Sequence, residues 1–452
     1  MTKAVASDSL INRNTVFVPG AYPKHSYVPR KFINPRTNKA FDPEEMILNV
    51  LRQKGMIVQV IGPSKSGKTR AVENCIGVDS LVSVAGSQIS DQLDVWENVC
   101  QILGLHVRFS DGTTDESKQG SGQKAGVEGG FMAAKFTGEI SSLRERVESV
   151  SFVREGAHDA FTLAYKTMIT LDLVLFVDDF HTIPEQLRPL VAAQLKAAAQ
   201  VGLKICLAEV PHHSHSTIAA LPDLTGRIAR VEFKSWERAD LEAIAVKGFG
   251  VLGVEISEAS RYAFSVEAIG SPQLMQLICL SAAESLGVDG PKPGKEFVSV
   301  DTNQIREILI SVLGAVDREY IFNILDAGPD ERGKPRTRYT AESLKQADNY
   351  EITLAAISLN PPFVKISIAE LLKRIEQICT ESEKRPRREQ ITRSIEQLIA
   401  LNEKHMPSLE IFEWTSDNSL HVLDPYFMFY LRWTEKYEHV REVVRGGAHA
   451  EK

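Results

Sequence analysis

The sequence predicts an α/β fold: a parallel, doubly wound sheet, followed by a small helical block and a mostly α C-terminal domain. Three observations carry that prediction. Short apolar runs alternate with helical segments between residues 56 and 233, the pattern of parallel strands buried on both faces. A glycine-containing turn joins the first of those strands to the helix behind it. From Ser235 onward strand patterns are expected to disappear until two short candidates near the C-terminus.

A chain of 452 residues exceeds what one ordinary core organises, so two or three domains are expected. With 52 basic and 59 acidic residues the net charge is −7, which supplies no global pull toward nucleic acid or an anionic membrane. The five cysteines, Cys75, Cys100, Cys206, Cys279 and Cys379, are scattered, and no two stand at C-x-x-C spacing. Four lie in apolar or amphipathic runs and read as buried free thiols. The polar N-terminus lacks the apolar stretch of a signal peptide, and no run approaches the roughly 18 apolar residues of a membrane span. A cytoplasmic protein without membrane contact is expected.

The elements follow in order. Residues 1–15 read as disordered. Residues 16–35, rich in Pro, Tyr and basic side chains, read as an extended strap on the next domain, and together they make an N-terminal segment of residues 1–40. Asp42 is a good N-cap and Pro43 suits the first helical position, so a helix starts there and runs to Gly55. Residues 56–61 form the first buried strand, and the turn from Gly62 to Thr69 opens a helix ending near Cys75. Strands are expected at 81–85, 173–177, 204–208 and 228–233, and helices at 92–103, 161–171 and 184–200. Residues 110–130, rich in Gly, Ser and Lys, read as a flexible insertion. These elements make a core domain of residues 41–234. Helices at 236–249, 257–269 and 272–285 make a lid of residues 235–290. Residues 291–440 form the last domain: a long helix at 303–327, a charged loop at 328–338, helices at 368–380 and 388–404, strand candidates at 409–414 and 420–423, and an aromatic helix at 424–433. Helix, helix and two-stranded wing is the order of a winged helix. Residues 441–452 are a tail.

Gly62-Pro63-Ser64-Lys65-Ser66-Gly67-Lys68-Thr69 fits G-x-x-x-x-G-K-[ST] in full. The loop must curl so that successive backbone N–H groups point inward at phosphate oxygens, and its glycines permit that. The helix that follows adds its positive N-terminal end. Lys68 supplies a mobile cation for the β- and γ-phosphates, and the Thr69 hydroxyl is a ligand for Mg²⁺. Arg70, the next residue, is counted with the nucleotide-binding set. The motif stands between an apolar strand and a helix, the context that phosphate binding requires, so ATP or ADP with Mg²⁺ is the expected ligand.

A buried strand at 173–177 delivers Asp178 and Asp179 to the sheet edge where the phosphate loop lies. Asp178 is the expected metal-side carboxylate, and Asp179 the residue that orients or deprotonates the attacking water. The alternative is that the pair merely caps a turn. After the next strand, Glu209 or His212 can report the γ-phosphate; solvated loop residues are the main alternative for His212, His213 and His215, and a metal cluster is disfavoured because no Cys or carboxylate stands at ligand spacing. Arg227, ahead of the last strand, is the expected arginine on the transferring phosphate, in cis or from a neighbouring subunit, and is preferred over Arg230 because Gly226 frees its backbone. A surface salt bridge is the other reading of both arginines.

On these residues the chain resembles the ASCE division of P-loop ATPases, in its AAA+ and STAND groups. The resemblance rests on Gly62 to Thr69, on Val177-Asp178-Asp179, on Asp223 to Arg227, and on Gly270-Ser271-Pro272 opening a helix. The last is similar to the Gly-x-Pro of STAND proteins, which implies that Pro272 lies near the nucleotide and couples it to the lid. Tyr27-Val28-Pro29-Arg30 resembles the segment that covers adenine in these families. Asp-Asp stands where AAA+ proteins carry Asp-Glu, and Gln273, Leu274, Met275 and Gln276 leave the first turn of the lid helix without an arginine. Both departures favour a slow switch over a fast motor.

The resemblance implies two functions. One is a STAND-like signalling ATPase that assembles as a homo-oligomer in its ATP form and acts through a separate effector protein, as in bacterial stress or phage defence. The other is a DNA-binding AAA+ ATPase whose winged helix sets residues 388–404 in a groove. Lys384, Arg385, Arg387, Arg388 and Arg393 support the second; Glu381, Glu383, Glu389 and Glu396 interleave with them and oppose it. The first is preferred.

Overall fold

The computed structural model describes residues 11–33, 38–63, 65–105, 159–210, 224, 226–330, 335–341, 344–379, 385–407 and 409–441. The expectations for Ser64, the insertion at 110–130, Asp223, the histidines at 212–215, Lys384 and the tail lie outside the described residues. Contacts divide the rest into two units. Residues 20–22 and 29–234 make a sheet unit; residues 11–19, 23–28 and those from 235 onward make a helical unit.

Apolar runs without polar alternation belong in strands buried on both faces, and the sheet unit is built on five of them. They are β1 (Ile57–Ile61), β2 (Leu81–Ala85), β3 (Val174–Asp178), β4 (Lys204–Glu209) and β5 (Ile228–Glu232). All pair in parallel, in the order β2-β3-β4-β1-β5. Helices α1 (Pro43–Leu51) and α2 (Lys68–Ile76) cover one face, packing on Val58, Val60, Phe176, Cys206 and Ala208. Helices α3 (Asp94–Leu103), α4 (Ala160–Thr170) and α5 (Arg188–Val201) cover the other, on Ile57, Val177, Ile205 and Leu207. β4 stands between β1, which leads into the phosphate loop, and β3, which carries Asp178. That interposed strand gives the unit the P-loop NTPase fold of the ASCE division.

The helical unit contains α6 (Arg238–Val251), α7 (Glu258–Glu267), α8 (Pro272–Ser285), α9 (Thr302–Leu313), α10 (Glu319–Ala327), α11 (Asn349–Ser358), β6 (Lys365–Ser367), α12 (Ile368–Ile378), α13 (Arg388–His405), β7 (Phe412–Thr415), β8 (Ser419–Val422) and α14 (Pro425–Trp433). β6, β8 and β7 form an antiparallel sheet in that order. One apolar core runs from Phe17 through Phe249, Met275 and Leu354 to Val440, so the lid and the C-terminal region share it.

Three expectations need correction here, and one helix was not expected at all. Residues 11–19 and 23–28 pack in the helical unit, not on the sheet domain. Phe17 lies 5.1 Å from the Phe249 ring, in a space that exists because residue 248 is glycine: a Cβ there would come within 2.2 Å of the Phe17 ring. Strands do not vanish after Ser235. Val254–Ile256 pairs in parallel with Glu296–Val298, and Tyr339–Ala341 with Lys345–Ala347 as a hairpin; three-residue strands are too short to show a period. The long helix at 303–327 is two helices, interrupted after Leu313 at Gly314, where a glycine weakens the helix. The unexpected helix is α11, which follows the hairpin. It is buried all round and so lacks a helical stripe, and Asp348 caps it by accepting from the Tyr350 and Glu351 N–H groups.

The helical unit buries charge and pairs it. Arg432, fully buried, donates to both Glu267 oxygens at 2.6 and 3.0 Å, to the Ser358 carbonyl at 2.6 Å and to Asn360 Oδ1 at 2.7 Å. Trp433 Nε1 donates to Glu267 Oε2 at 2.9 Å. Burial pushes the Glu267 carboxyl up, but the Arg432 charge, its hydrogen bonds, Arg441 and Trp433 together hold it below the usual carboxylate range. No helix among the described residues is long and apolar enough to cross a membrane. Cys100, Cys206, Cys279 and Cys379 are buried free thiols, and Cys75 is half-buried.

Candidate functional site

β1 and β3 are parallel, so their C-terminal ends meet at one edge of the sheet. Gly62 leaves β1 against the strand exit of β5, where a Cβ would come within 2.5 Å of the Phe233 carbonyl oxygen; only glycine passes there. Lys65 (φ 58°) and Gly67 (φ 87°) take left-handed backbone and curl the loop, and Ser66 N donates to the Pro63 carbonyl at 3.3 Å. Gly67 is the N-cap of α2. The first-turn N–H groups of that helix have no helical acceptor and open on the loop, as an anion requires.

Lys68 is only 6% exposed, and its ammonium folds back to donate to the carbonyls of Gly62 (2.9 Å) and Pro63 (2.8 Å). Burial lowers its pKa, opposed by the charges of Asp179 and Asp178. Thr69 Oγ1 donates to Asp178 Oδ2 at 2.7 Å. Asp178 Oδ1 accepts from Asp179 N at 3.0 Å. Burial and then the Asp179 charge push the Asp178 carboxyl up, against Thr69 and Lys68; burial also raises Asp179, against Lys68. A hydroxyl and a carboxylate in contact are two hard oxygen donors, and a cation beside them suits phosphate. This donor set fits Mg²⁺ with a nucleotide.

Asp179 itself stands at φ 50°, uncommon for a residue with a side chain. Two features hold it there. Its carbonyl accepts from Thr182 N (2.9 Å) and Thr182 Oγ1 (2.8 Å). The same carbonyl packs against Gly86, in the turn after β2, where a Cβ would lie 2.3 Å away. Such strain is retained where the surroundings over-determine it, which in enzymes is commonly a working site.

Other expected residues lie elsewhere. Glu209 ends β4, fully buried, and its Oε1 accepts from Gln59 Nε2 of β1 at 2.5 Å, so its carboxylate is tied into the sheet. Arg227 stands at the start of β5, beside the start of β1: its carbonyl accepts from Ile57 N at 2.8 Å, and its Nη1 reaches the Gly55 carbonyl at 3.5 Å. The phosphate loop follows the other end of β1, roughly 16 Å away at about 3.3 Å per strand residue. A cis role for Arg227 is corrected by that placement, since parallel strands begin and end on opposite edges. Arg230 is exposed in the middle of β5, in register with Gln59. Arg70 directs its guanidinium to Glu73 Oε2 (2.6 Å) and the Gly20 carbonyl (3.2 Å), away from phosphate duty, which leaves its backbone N–H as its contribution. Pro272 opens α8 in the helical unit behind the N-cap Ser271.

Sequence reasoning missed Arg30 as a buried residue. It is 6% exposed, its Nη2 donates to the Ser66 carbonyl at 2.9 Å, and its Nη1 donates to the Lys234 carbonyl at 2.9 Å. Its guanidinium carbon lies 4.8 Å from the Phe32 ring centre and 6.0 Å from that of Phe233. Pro29-Arg30 stood out in the sequence only through its resemblance to an adenine-covering segment. Gly86 was likewise missed, as a lone glycine after a strand carries no distinguishing spacing.

No protein-family model matches the chain, and no curated protein does. Among solved structures it is similar to Cdc6p from Pyrobaculum aerophilum, at 15% identity over 95% of this chain and 100% of that one, with a TM-score of 0.39. A Walker-type ATPase of Pyrococcus abyssi matches at 12% identity, 86% and 94% coverage and a TM-score of 0.46. The RuvB Holliday junction branch migration motor of Thermotoga maritima matches at 11% identity, 86% and 93% coverage and a TM-score of 0.35. At these values the likeness bears on nothing beyond fold, and the fold rests on the strand order itself.

Proposed function

We propose that this chain binds ATP with Mg²⁺ and hydrolyses it slowly, and that its ATP and ADP forms differ in homo-oligomeric assembly and in signalling to a separate effector protein. The observation that carries the reading is the 2.7 Å contact of Thr69 with Asp178, beside a buried Lys68 that rests on its own loop. Lys68 exchanges two neutral carbonyl acceptors for charged phosphate oxygens, a stronger hydrogen bond. Thr69 and Asp178 hold the cation, which neutralises charge on the phosphates when bound. In this reading Asp179 orients the attacking water and accepts its proton.

The switch is supported by Asp-Asp at 178–179, by the arginine-free start of α8, and by the single core of the helical unit, which makes it one body to move. Asp179→Asn is expected to bind ATP within about threefold of wild type and to hydrolyse it roughly 100-fold more slowly, the usual size of a general-base loss. Hydrolysis at the wild-type rate would remove Asp179 from the chemistry. Particle size with ATP and with ADP tests the assembly; equal sizes overturn it.

A second reading has one observation in its favour. The succession α11, β6, α12, α13, β7, β8 with sheet order β6-β8-β7 supports a winged helix, and Arg387, Arg388 and Arg393 are exposed at the start of α13. Glu389 and Glu396 are exposed on the same helix and oppose duplex binding. Submicromolar, steeply salt-dependent binding of duplex DNA would make this the main function.

A further inference from the structure

We propose that Arg30 is the positioning residue that joins the phosphate loop to the point where the chain leaves the sheet unit, so that nucleotide at the loop sets the state of the Lys234–Ser235 link. The proposal rests on the nucleotide-binding reading and supplies its outlet. Arg30 donates through one guanidinium nitrogen to the Ser66 carbonyl and through the other to the Lys234 carbonyl, both at 2.9 Å. A peptide group is planar and rigid. The Ser66 carbonyl therefore moves with the Gly67 N–H, one of the groups that a phosphate engages. The Lys234 carbonyl in turn moves with the Ser235 N–H, and Ser235 is the first residue of the helical unit after the sheet. One guanidinium thus grips two peptide planes, one at the ligand and one at the exit.

The surroundings fix that grip. Phe233, next to Lys234, is bonded back through its N–H to the Ile61 carbonyl at 2.7 Å and abuts Gly62, so the exit of β5 and the start of the loop are already in contact. The rings of Phe32 and Phe233 flank the guanidinium and restrict it to this orientation. After residues 20–22 the chain re-enters the sheet unit at residue 29, one residue before Arg30. Entry and exit are therefore read by the same side chain. Lysine is a poor replacement, because its donors share one nitrogen, whereas the planar guanidinium presents a separate nitrogen to each of the two carbonyls.

The test uses trypsin on the full chain, since Lys234 is exposed and cleavage after it cuts the link itself. The rate at which the fragment beginning at Ser235 appears is measured without nucleotide and with saturating ADP or a non-hydrolysable ATP analogue. In the wild type the rates are expected to differ by at least threefold between nucleotide-free and analogue-bound protein. Arg30→Met and Arg30→Lys should still bind the analogue, within about tenfold of wild type, and give a rate ratio near one. Should Arg30→Met fail to fold, Arg30→Lys carries the test, because it keeps the charge and one bond. A variant that binds the analogue and keeps the wild-type ratio overturns the proposal. So does a wild-type ratio of one, which leaves the nucleotide-binding reading standing if titration still shows binding. Absence of binding in the wild type removes both.

Discussion

Arg432 in the helical unit and Lys68 in the sheet unit are both buried cations, but they are satisfied differently. Arg432 meets a carboxylate face to face, with three further oxygen acceptors closing its remaining directions. Lys68 meets two neutral carbonyls of its own loop, while the carboxylates of Asp178 and Asp179 act on it through space. A buried cation matched by an anion is finished as structure. One left on weak acceptors at the mouth of a helix keeps its charge for a ligand. Burial alone does not separate the two cases; the identity of the acceptor does.

The sharpest way to break this contrast is to remove both cations in turn. Arg432→Met leaves Glu267 buried without its partner and should cost about 3–5 kcal/mol of stability, read by denaturant unfolding, with nucleotide affinity unchanged within about twofold. The pH dependence has a definite sign. The Glu267 carboxyl is held below its ordinary value of 4.5, so its pairing contributes fully above that pH and is lost as pH falls through the lower folded value. The stability gap between wild type and Arg432→Met should therefore narrow in acid below about pH 4.5. A gap that stays constant would mean the pair contributes nothing through charge.

Lys68→Ala should do the reverse. Affinity for ATP should fall about 100-fold in a nucleotide titration, near 2.7 kcal/mol, the size of one or two charge-assisted hydrogen bonds. Its unfolding midpoint should hold or rise, because a desolvated ammonium is gone. Lowered stability with unchanged affinity would turn Lys68 into a second Arg432. The smallest effect expected is at Arg227. With a cis role removed by its position at the start of β5, Arg227→Ala should slow hydrolysis about tenfold only where subunits assemble. Wild-type activity per chain should rise with protein concentration and the variant's should not; activity independent of concentration in both ends the trans role.

Much of the sheet was legible because buried parallel strands are unbroken apolar runs, and the phosphate loop because its chemistry demands glycines and Lys-Thr at fixed spacing. Asp178 and Asp179 were legible from their place after a strand. What was not legible shares one cause: it depends on distance through space. Arg227 reads as adjacent to the last strand, yet strand direction puts it on the far edge. Arg30 reads as one of several basic residues in a polar segment, and only the fold buries it between Ser66 and Lys234. The same holds for α11, whose helical period is hidden by burial on every side, and for Phe17, whose socket is an absent side chain at residue 248.

The bond between Gln59 and Glu209 has a consequence for how the chain reaches its fold. β1 and β4 are neighbours in the sheet although their bonded residues lie 150 positions apart, so their alignment is found by search and not by a turn. An apolar strand such as Ile-Val-Gln-Val-Ile offers almost equal burial in several alignments. Gln59 and Glu209 are 1% and 0% exposed and lie on the same face of the sheet, Gln59 level with Leu207 and Glu209 two residues further along. A slip of either strand by one residue would turn its own member of the pair to the opposite face and break the 2.5 Å bond, at about 1–3 kcal/mol for a buried polar group that loses a partner. The polar pair thus disfavours one-residue slips of the sheet, and the edge that carries the phosphate loop shares the alignment that the pair favours.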